Sequence, residues 1–243
     1  MQKILIQKPT IWGQSAVSLF VEIAHEAIKE RGTFSVAFSG GGTPLPLYRA
    51  LGQEPFIKEF PWSKTYFFWG DERDVPLNHP DSNFHSVNEV LLNRVPIPTQ
   101  NVHRVQTEMG PEKAARAYEE QLKRFFHGEW PFFDLVLLGM GEDGHTASLF
   151  PFSDGLTVED RRFIPNFAPH RKVWRLTLTK NAINAARNTI ILVKGAEKAS
   201  MVANALVGEY NPDEKPIQLI KPESGHLTWL LDENAASLLP AEF

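Results

Sequence analysis

A histidine and an acid within a glycine-rich segment are the residues of this sequence best suited to chemistry. Asp143 and His145 follow the apolar run 135–138, and flanking glycines let the main chain approach a ligand closely. A histidine held by a carboxylate or carbonyl is the usual general base for activating water, because imidazole titrates near neutral pH. We therefore predict that His145 is a general base, with Asp143 holding it or facing the ligand itself. A solvated loop histidine is the alternative.

A second glycine-rich segment, SGGGTP at 39–44, follows the apolar run 34–38 and precedes a helical pattern. A strand, a glycine loop and a helix in this order are typical of phosphate binding, because main-chain amides can donate to the anion. The candidate ligands of a phosphate or sugar hydroxyl are Ser39, Gly40, Gly41, Gly42 and Thr43. No Lys-Ser/Thr pair follows, which excludes a nucleotide P-loop. A tight turn without a ligand is the alternative.

Charged residues occur at further positions where an anion could bind. Asp71 and Arg73 follow the aromatic run 65–69, whereas Arg175 lies in a predicted strand. Lys198 falls in the first turn of a predicted helix, where a cation is unfavourable unless an anion is near. Arg73 could neutralise an anion, and Asp71 could hold Arg73 or transfer a proton. Solvation at the surface is the alternative for each.

The spacing of Gly139, Gly141 and Gly144 matches the G-x-G-x-x-G pattern of dinucleotide-binding proteins. That site needs a long helix directly after the glycines, and Pro151 would end any helix here after about two turns. We therefore expect no dinucleotide. No serine lies in a G-x-S-x-G elbow, and the histidines lack the spacing of metal ligands, so neither a serine hydrolase nor a metal site is expected.

Strands and helices alternate along the chain and must position these residues. The predicted strands cover 4–6, 34–38, 65–69, 135–138, 173–178, 188–193 and 226–231. The predicted helices cover 12–31, 45–51, about 82–93, 111–126, 179–186 and a segment from 195–198 to a stop at Gly208. The region around 161–169 is less regular. This alternation predicts an α/β fold with one doubly wound, mostly parallel sheet, helices on both faces and a single domain over 1–243.

Composition limits the classes of function. The chain of 243 residues carries a formal net charge of -4, which gives no global attraction to nucleic acid or to an anionic membrane. Cysteine is absent from the sequence, which excludes disulfides and thiolate sites. The amino terminus has only a short apolar run before Pro9, so no secretory signal is expected. We expect a cytoplasmic monomer without nucleic-acid or membrane partners.

Three segments together resemble the signatures of 6-phosphogluconolactonases, a family within the group that includes glucosamine-6-phosphate deaminases. They are SGGGTP at 39–44, GDERDVP at 70–76 and LGMGEDGHTASLFP at 138–151. RLTLT at 175–179 and GAEK at 195–198 also lie where that group has similar segments. The resemblance therefore covers nearly the whole chain.

The resemblance implies a modified Rossmann-like fold of the sugar-phosphate isomerase type and, as substrate, 6-phospho-D-glucono-1,5-lactone of the pentose phosphate pathway. His145 would activate water and then protonate the departing ring oxygen, while Arg73, held by Asp71, would stabilise negative charge. The residues implied in catalysis are His145, Arg73, Asp71 and Asp143. Those implied in substrate or phosphate binding are Ser39, Gly40, Gly41, Gly42, Thr43, Gly144, Arg175 and Lys198. No metal or organic cofactor is expected, because an ester carbonyl is already electrophilic.

Two departures separate this chain from the deaminases within the group. Phe150 stands where deaminases have an acid before the closing proline, and Arg73 stands where they tend to have an aromatic residue. Both favour a hydrolytic site. A deaminase or isomerase and a catalytically silent sugar-phosphate sensor remain as alternatives.

Overall fold

The computed structural model describes residues 2–241, in which strands and helices alternate. The strands are β1 (Gln2–Gln7), β2 (Phe34–Phe38), β3 (Thr65–Trp69), β4 (Asp71–Arg73), β5 (Leu135–Gly139), β6 (Phe163–Ala168), β7 (Val173–Leu178), β8 (Asn188–Val193) and β9 (His226–Asp232). The α-helices are α1 (Trp12–Arg31), α2 (Leu45–Leu51), α3 (Phe56–Glu59), α4 (Asn83–Val90), α5 (Pro111–Phe126), α6 (Lys180–Asn184) and α7 (Ala199–Leu206). The predicted domain, 1–243, includes residues 1, 242 and 243, which lie outside the described residues. The single-domain organisation stays a prediction.

The main sheet has six parallel strands in the order β1-β9-β8-β5-β2-β3. The residues of β2 are all buried, as a central strand of a parallel sheet requires, and this explains why four of its five residues are apolar. The predicted doubly wound α/β class with a mostly parallel sheet is confirmed.

Helices cover both faces of this sheet, as the neighbours of two consecutive β3 residues illustrate. Side chains of adjacent strand residues point to opposite faces. Phe67 packs against Phe38, which in turn lies 6.3 Å from Phe20 of α1, measured between ring centroids. Phe68 packs against Phe125 of α5, with 5.0 Å between the centroids. α1 and α5 therefore lie on opposite faces.

Helix ends follow the local signals of the sequence. α1 ends before Gly32, which adopts the left-handed conformation with a φ of 80° and donates its amide to the carbonyl of Ile28. The side chains of Ser82 and Thr179 cap α4 and α6. α4 is shorter than the predicted helix 82–93, because a 3-10 turn forms at Leu92–Arg94.

A second sheet of three antiparallel strands, in the order β4-β7-β6, was not predicted. The expectation of irregular structure around 161–169 was wrong, because Phe163–Ala168 is a strand. Pro165 within it removes a hydrogen-bond donor, but β6 is an edge strand, where proline is tolerated. The charged run at 71–73 is also a strand, and β7, which carries Arg175, pairs with it outside the main sheet.

Candidate active site

Loops at the carboxyl-terminal ends of four neighbouring strands converge on one pocket. A glycine loop (39–44) follows β2, a histidine loop (140–150) follows β5, β4 follows β3, and Lys198 follows β8. Of the predicted site residues, the pocket is lined by Ser39, Gly40, Gly41, Thr43, Asp71, Arg73, His145 and Lys198. Of the remaining ones, Gly42 and Gly144 are sequence neighbours of lining residues, Arg175 is the strand partner of Arg73, and Asp143 is hydrogen-bonded to His145. The fold therefore brings the predicted site together at the strand ends, where α/β sheets bind ligands.

His145 is oriented by Asp143 of the same loop. Its Nδ1 is hydrogen-bonded to Oδ1 of Asp143, whose Oδ1 also accepts the His145 amide at 3.2 Å. Burial alone would raise the pKa of Asp143, but the hydrogen bond and charge of His145 outweigh it and lower the pKa to about 2. Because an ionised carboxylate can only accept, Nδ1 carries a proton, and in the neutral imidazole Nε2 is then the free basic atom. This arrangement is suited to a general base.

The histidine loop holds the imidazole against its own main chain. A Cβ at position 141 would lie only 2.0 Å from His145 Nδ1, so a larger residue there would displace the imidazole. The Gly141 amide donates to the His145 carbonyl at 2.9 Å, and the Gly144 amide donates to the Gly141 carbonyl at 3.1 Å. The segment is thus a tight turn with no helix directly after it. That it binds no dinucleotide stays a prediction.

Phe150 packs against the imidazole ring of His145. Its buried ring stacks on His145 with 4.6 Å between the centroids. The sequence comparison within the group placed an acid of the deaminases at this position. In this chain the side chain at that position is an apolar ring against His145, which cannot exchange a proton.

The glycine loop lines the pocket with residues whose main-chain amides are unpaired among the described residues. Gly41 has a φ of +86°, and a Cβ on Gly40 would collide with the side chain of Asn83, so both positions require glycine. Tyr48 fixes the start of the loop, because its hydroxyl donates to the Ser39 carbonyl at 2.8 Å. Within residues 2–241, the amides of 40–43 donate to no protein acceptor. Consecutive unpaired amides at a pocket are suited to an anionic ligand.

Asp71 and Arg73 both line the pocket, but Asp71 does not hold Arg73 as we expected. Asp71 Oδ2 accepts from the Ser148 hydroxyl at 2.7 Å, and Oδ1 accepts from the Asn83 side chain at 3.3 Å. Arg73 Nη1 instead donates to the main-chain carbonyl of Asp81 at 2.6 Å. No ion pair joins Asp71 to Arg73 in the part of the chain that the structure describes. Asp71 is already engaged by neutral donors, and Arg73 is held from the following loop.

Cations are concentrated around the pocket. Arg73 and Arg175 are directly opposite each other in β4 and β7, so their side chains share one face. The pKa of Arg175 is lowered, first by burial and then by the nearby charges of Arg73 and Arg171. Lys198 lines the pocket next to the histidine loop, and its Nζ lies 3.8 Å from the Glu142 carboxylate. Like charges held close together favour an anionic ligand, which would offset their repulsion.

Arg171 was not among the predicted site residues, and the structure places it at the histidine. It lies in the turn between β6 and β7, with Nη2 3.8 Å from Asp143 Oδ2. Its guanidinium also lies 5.3 Å from the centre of the Phe150 ring. Arg171 thus contacts both neighbours of His145. Sequence alone could not place Arg171 in the site, because the strand on its amino-terminal side was not recognised.

Glu72, between the predicted Asp71 and Arg73, was also missed. A glutamate in a charged run is normally solvated, yet Glu72 is only 2% exposed. Its carboxylate accepts the amides of Arg73, Asn83 and Phe84 at 2.7, 2.7 and 2.8 Å. Burial raises its pKa to about 7, although these amides act in the opposite direction. The alternation of β4 explains its position, because Glu72 points away from the pocket that Asp71 and Arg73 face.

The cationic pocket contains no evident metal-binding cluster. Among residues 2–241, no group of three His, Cys, Asp or Glu side chains is placed to hold a metal ion. That no cofactor is needed stays a prediction. The charge available to an anionic substrate comes from arginine, lysine and main-chain amides.

Comparison with known proteins identifies the family. A family model described as glucosamine-6-phosphate isomerases/6-phosphogluconolactonase matches residues 8–229. The chain belongs to this family. It is 42% identical over 240 residues to the 6-phosphogluconolactonase of a Synechocystis species, an alignment that covers 97% of each protein. It is 34% identical to a probable 6-phosphogluconolactonase of Arabidopsis thaliana, over 92% of this chain and 88% of the relative.

Solved structures of the family agree in fold. The 6-phosphogluconolactonase of Trypanosoma brucei matches with a TM-score of 0.86 and 31% identity, over 99% of both chains. That of Thermotoga maritima matches with a TM-score of 0.83 and 31% identity, over 96% of this chain and 100% of its own. A monomeric glucosamine-6-phosphate deaminase, 19% identical over 97% of this chain and 99% of its own, shares the fold with a TM-score of 0.80. The resemblance noted in the sequence motifs is confirmed.

Proposed function

We propose that this protein hydrolyses 6-phospho-D-glucono-1,5-lactone to 6-phosphogluconate, the lactonase step of the oxidative pentose phosphate pathway. The family membership and the names of the relatives support the reaction and its substrate. The observation that carries the mechanism is the pair His145–Asp143, which leaves Nε2 basic in a pocket rich in cations.

His145 serves both proton transfers of the proposed mechanism. Nε2 takes a proton from water as the water oxygen forms a bond to the lactone carbonyl carbon. The tetrahedral oxyanion then collapses, the bond between the carbonyl carbon and the ring oxygen breaks, and the imidazolium donates its proton to that oxygen. The ionised Asp143 stabilises the imidazolium between the two steps, and its hydrogen bond keeps the ring in the required tautomer.

The pocket supplies separate groups for the two ends of the substrate. The amides of Gly41, Gly42 and Thr43, with Arg175 and Lys198, bind the phosphate and so orient the lactone. The list of binding groups is completed by Ser39, Gly40 and Gly144. Arg73 stabilises the negative charge that develops on the carbonyl oxygen. Asp71 is held by Ser148 and Asn83 and also lines the pocket. Its carboxylate accepts a hydrogen bond from a substrate hydroxyl.

Phe150 favours hydrolysis over the deaminase chemistry found elsewhere in the group. Ring opening and isomerisation of an amino sugar need an additional acid or base beside the sugar. In this chain the side chain against His145 is the Phe150 ring, and this supports a site with one proton-transferring histidine. We expect no ammonia release from glucosamine 6-phosphate.

The decisive experiment compares lactone hydrolysis by the wild-type protein, His145→Ala and Lys198→Met, each corrected for spontaneous opening of the lactone. Loss of the general base should lower kcat by about 10²- to 10⁴-fold with little change in KM. Loss of a phosphate ligand should mainly raise KM, because it removes binding shared by the ground and transition states. A wild-type rate equal to the background would refute the activity, and an unimpaired His145→Ala enzyme would remove His145 from the mechanism.

The proposal also covers the cellular location of the protein and its oligomeric state. Across the described range 2–241, no helix has the length and apolar character needed to cross a membrane. We further propose that the protein is a cytoplasmic monomer and that 1–243 is one domain. Light scattering after size-exclusion chromatography measures the mass in solution. A mass near 27.5 kDa is expected, and a mass of twice that value or more would refute the monomer.

A further inference from the structure

Glu72 is a buried residue next to the pocket whose carboxylate accepts four hydrogen bonds, and the mechanism above does not use it. Its Oε1 accepts the amides of Arg73 and Asn83, while Oε2 accepts the Phe84 amide and, at 3.3 Å, the Ser82 hydroxyl. Both oxygens of the side chain are therefore engaged from two separate segments. One segment is β4, and the other is the start of α4.

These bonds close the loop between β4 and α4, and that loop holds Arg73. The guanidinium of Arg73 is anchored by the carbonyl of Asp81, the residue directly before Ser82. Glu72 fixes Ser82 and the residues after it on one side and the Arg73 amide on the other. The position of the Arg73 side chain therefore depends on a loop whose two ends are joined by the Glu72 carboxylate.

The same contacts extend to Asp71. Asn83, whose amide donates to Glu72, also donates its side-chain Nδ2 to the Asp71 carbonyl at 2.8 Å. Ser82 pairs with the His85 amide and Glu72 with the amides of Asn83 and Phe84, but Glu72 also bonds an amide outside the helix. A carboxylate serving only the helix would not bond the amide of Arg73.

We propose that Glu72 is a positioning residue that places Arg73 in the active site by joining the start of α4 to β4. The proposal rests on the proposed lactonase function for its kinetic test. The expected catalytic effect follows from geometry, because a displacement of a charge-stabilising group by about 1 Å can cost about 100-fold in rate.

A double-mutant cycle with Arg73 tests the proposal. Glu72→Gln preserves shape but turns an NH2 donor toward main-chain donors, and we expect kcat/KM to fall about 10- to 100-fold, mostly in kcat. In an Arg73→Met background the same substitution should cost less than about 3-fold, because residues that act through one group are not additive. An equal loss in both backgrounds would overturn the proposal.

Glu119→Gln is the matched control for general destabilisation. Glu119 is 4% exposed and accepts the Arg162 amide at 2.6 Å, but it does not line the pocket. We expect it to lower the melting temperature while retaining wild-type kcat. A loss of kcat equal to that of Glu72→Gln would assign both effects to stability and contradict the proposal. Should Glu72→Gln fail to fold, Ser82→Ala takes its place in the cycle, with an expected loss of about 3- to 10-fold in the wild-type background alone.

A crystal structure of Glu72→Gln separates this proposal from the proposed function. We expect the Arg73 guanidinium to leave the Asp81 carbonyl, whatever substrate the enzyme uses. An Arg73 that keeps its place would refute the role of Glu72 even in an active lactonase. A wild-type protein that fails to hydrolyse the lactone would refute the function while leaving the displaced Arg73 as support for Glu72.

Discussion

At the scale of single residues, the site depends on close approaches that leave no room for larger side chains. A Cβ on Gly141 would fall 2.0 Å from His145 Nδ1 and 2.4 Å from Asp143 Oδ1. Both atoms belong to the pair that we propose as the base and its orienting carboxylate. Position 141, which lines the pocket, therefore controls the orientation of His145.

We predict that Gly141→Ala lowers kcat by about 10- to 100-fold and leaves KM nearly unchanged, because His145 must turn away while the phosphate ligands stay in place. Steady-state kinetics on the lactone measure both constants. Gly13→Ala is the matched control, since a Cβ at Gly13 in α1 meets no atom within 4 Å. Wild-type kcat in Gly141→Ala would show that the loop adjusts and that the close approach is unimportant.

At the scale of elements, the small antiparallel sheet supports the histidine loop. Asn166 of β6 is 2% exposed and donates to the Ser148 carbonyl at 2.8 Å and to the Ser153 hydroxyl at 2.9 Å. Thr177 of β7 accepts the Ser148 amide at 3.2 Å. The Ser148 hydroxyl donates to Asp71, so β6 and β7 hold the part of the histidine loop that contacts Asp71.

We expect Asn166→Ala to lower the free energy of unfolding by about 1–3 kcal/mol, because buried groups lose their partners. It should also reduce kcat, since the histidine loop loses its support. Urea unfolding and kinetics at one temperature give the two values. Asn184→Ala, which removes bonds to Leu219 and Lys221, should lose stability but keep kcat. Equal kcat values for the two variants would contradict a role of β6 in holding the site.

At the scale of the whole molecule, stability depends on pH through Glu72, which is buried, and through Asp143, which is paired with His145. The pKa of Glu72 is raised by burial from 4.5 to about 7, so the folded protein binds this proton more tightly than the unfolded chain. The stabilisation is fully present below about pH 4.5 and is lost as pH rises through about 7. Asp143 has the opposite sign, because its lowered pKa makes it stabilising above its unfolded value of 3.8. The two effects therefore occupy separate pH ranges.

We predict that the free energy of unfolding of the wild-type protein falls by about 3 kcal/mol relative to Glu72→Gln between pH 4.5 and pH 8. The difference between the two proteins isolates Glu72, since other titrating groups such as His103 are common to both. Urea unfolding across this range measures it. A difference that stays constant with pH would show that Glu72 does not titrate in this range.

Local patterns in the sequence were sufficient to predict the elements of the main sheet and the candidate residues. Helical periodicity and the glycine at 32 defined α1 from Trp12 to Arg31, because amphipathic spacing and capping act within a few residues. Apolar runs ending in glycine or charge predicted β2, β3 and β5, whose parallel arrangement then brings the residues after them to one edge. His145 and Arg73 could be proposed for this reason, and Lys198 because a cation is unfavourable in the first turn of a helix unless an anion is near.

Tertiary structure alone decided which partners these residues have. The sequence predicted Asp71 beside Arg73, but Ser148 and Asn83 arrive from distant segments to occupy Asp71, and Arg73 is held by Asp81. The strands β4 and β6 escaped prediction because a three-residue charged strand and an edge strand with proline carry little local signal. Local periodicity indicates which side of an element is buried. Hydrogen bonds between residues that are distant in sequence depend instead on how the elements pack against each other.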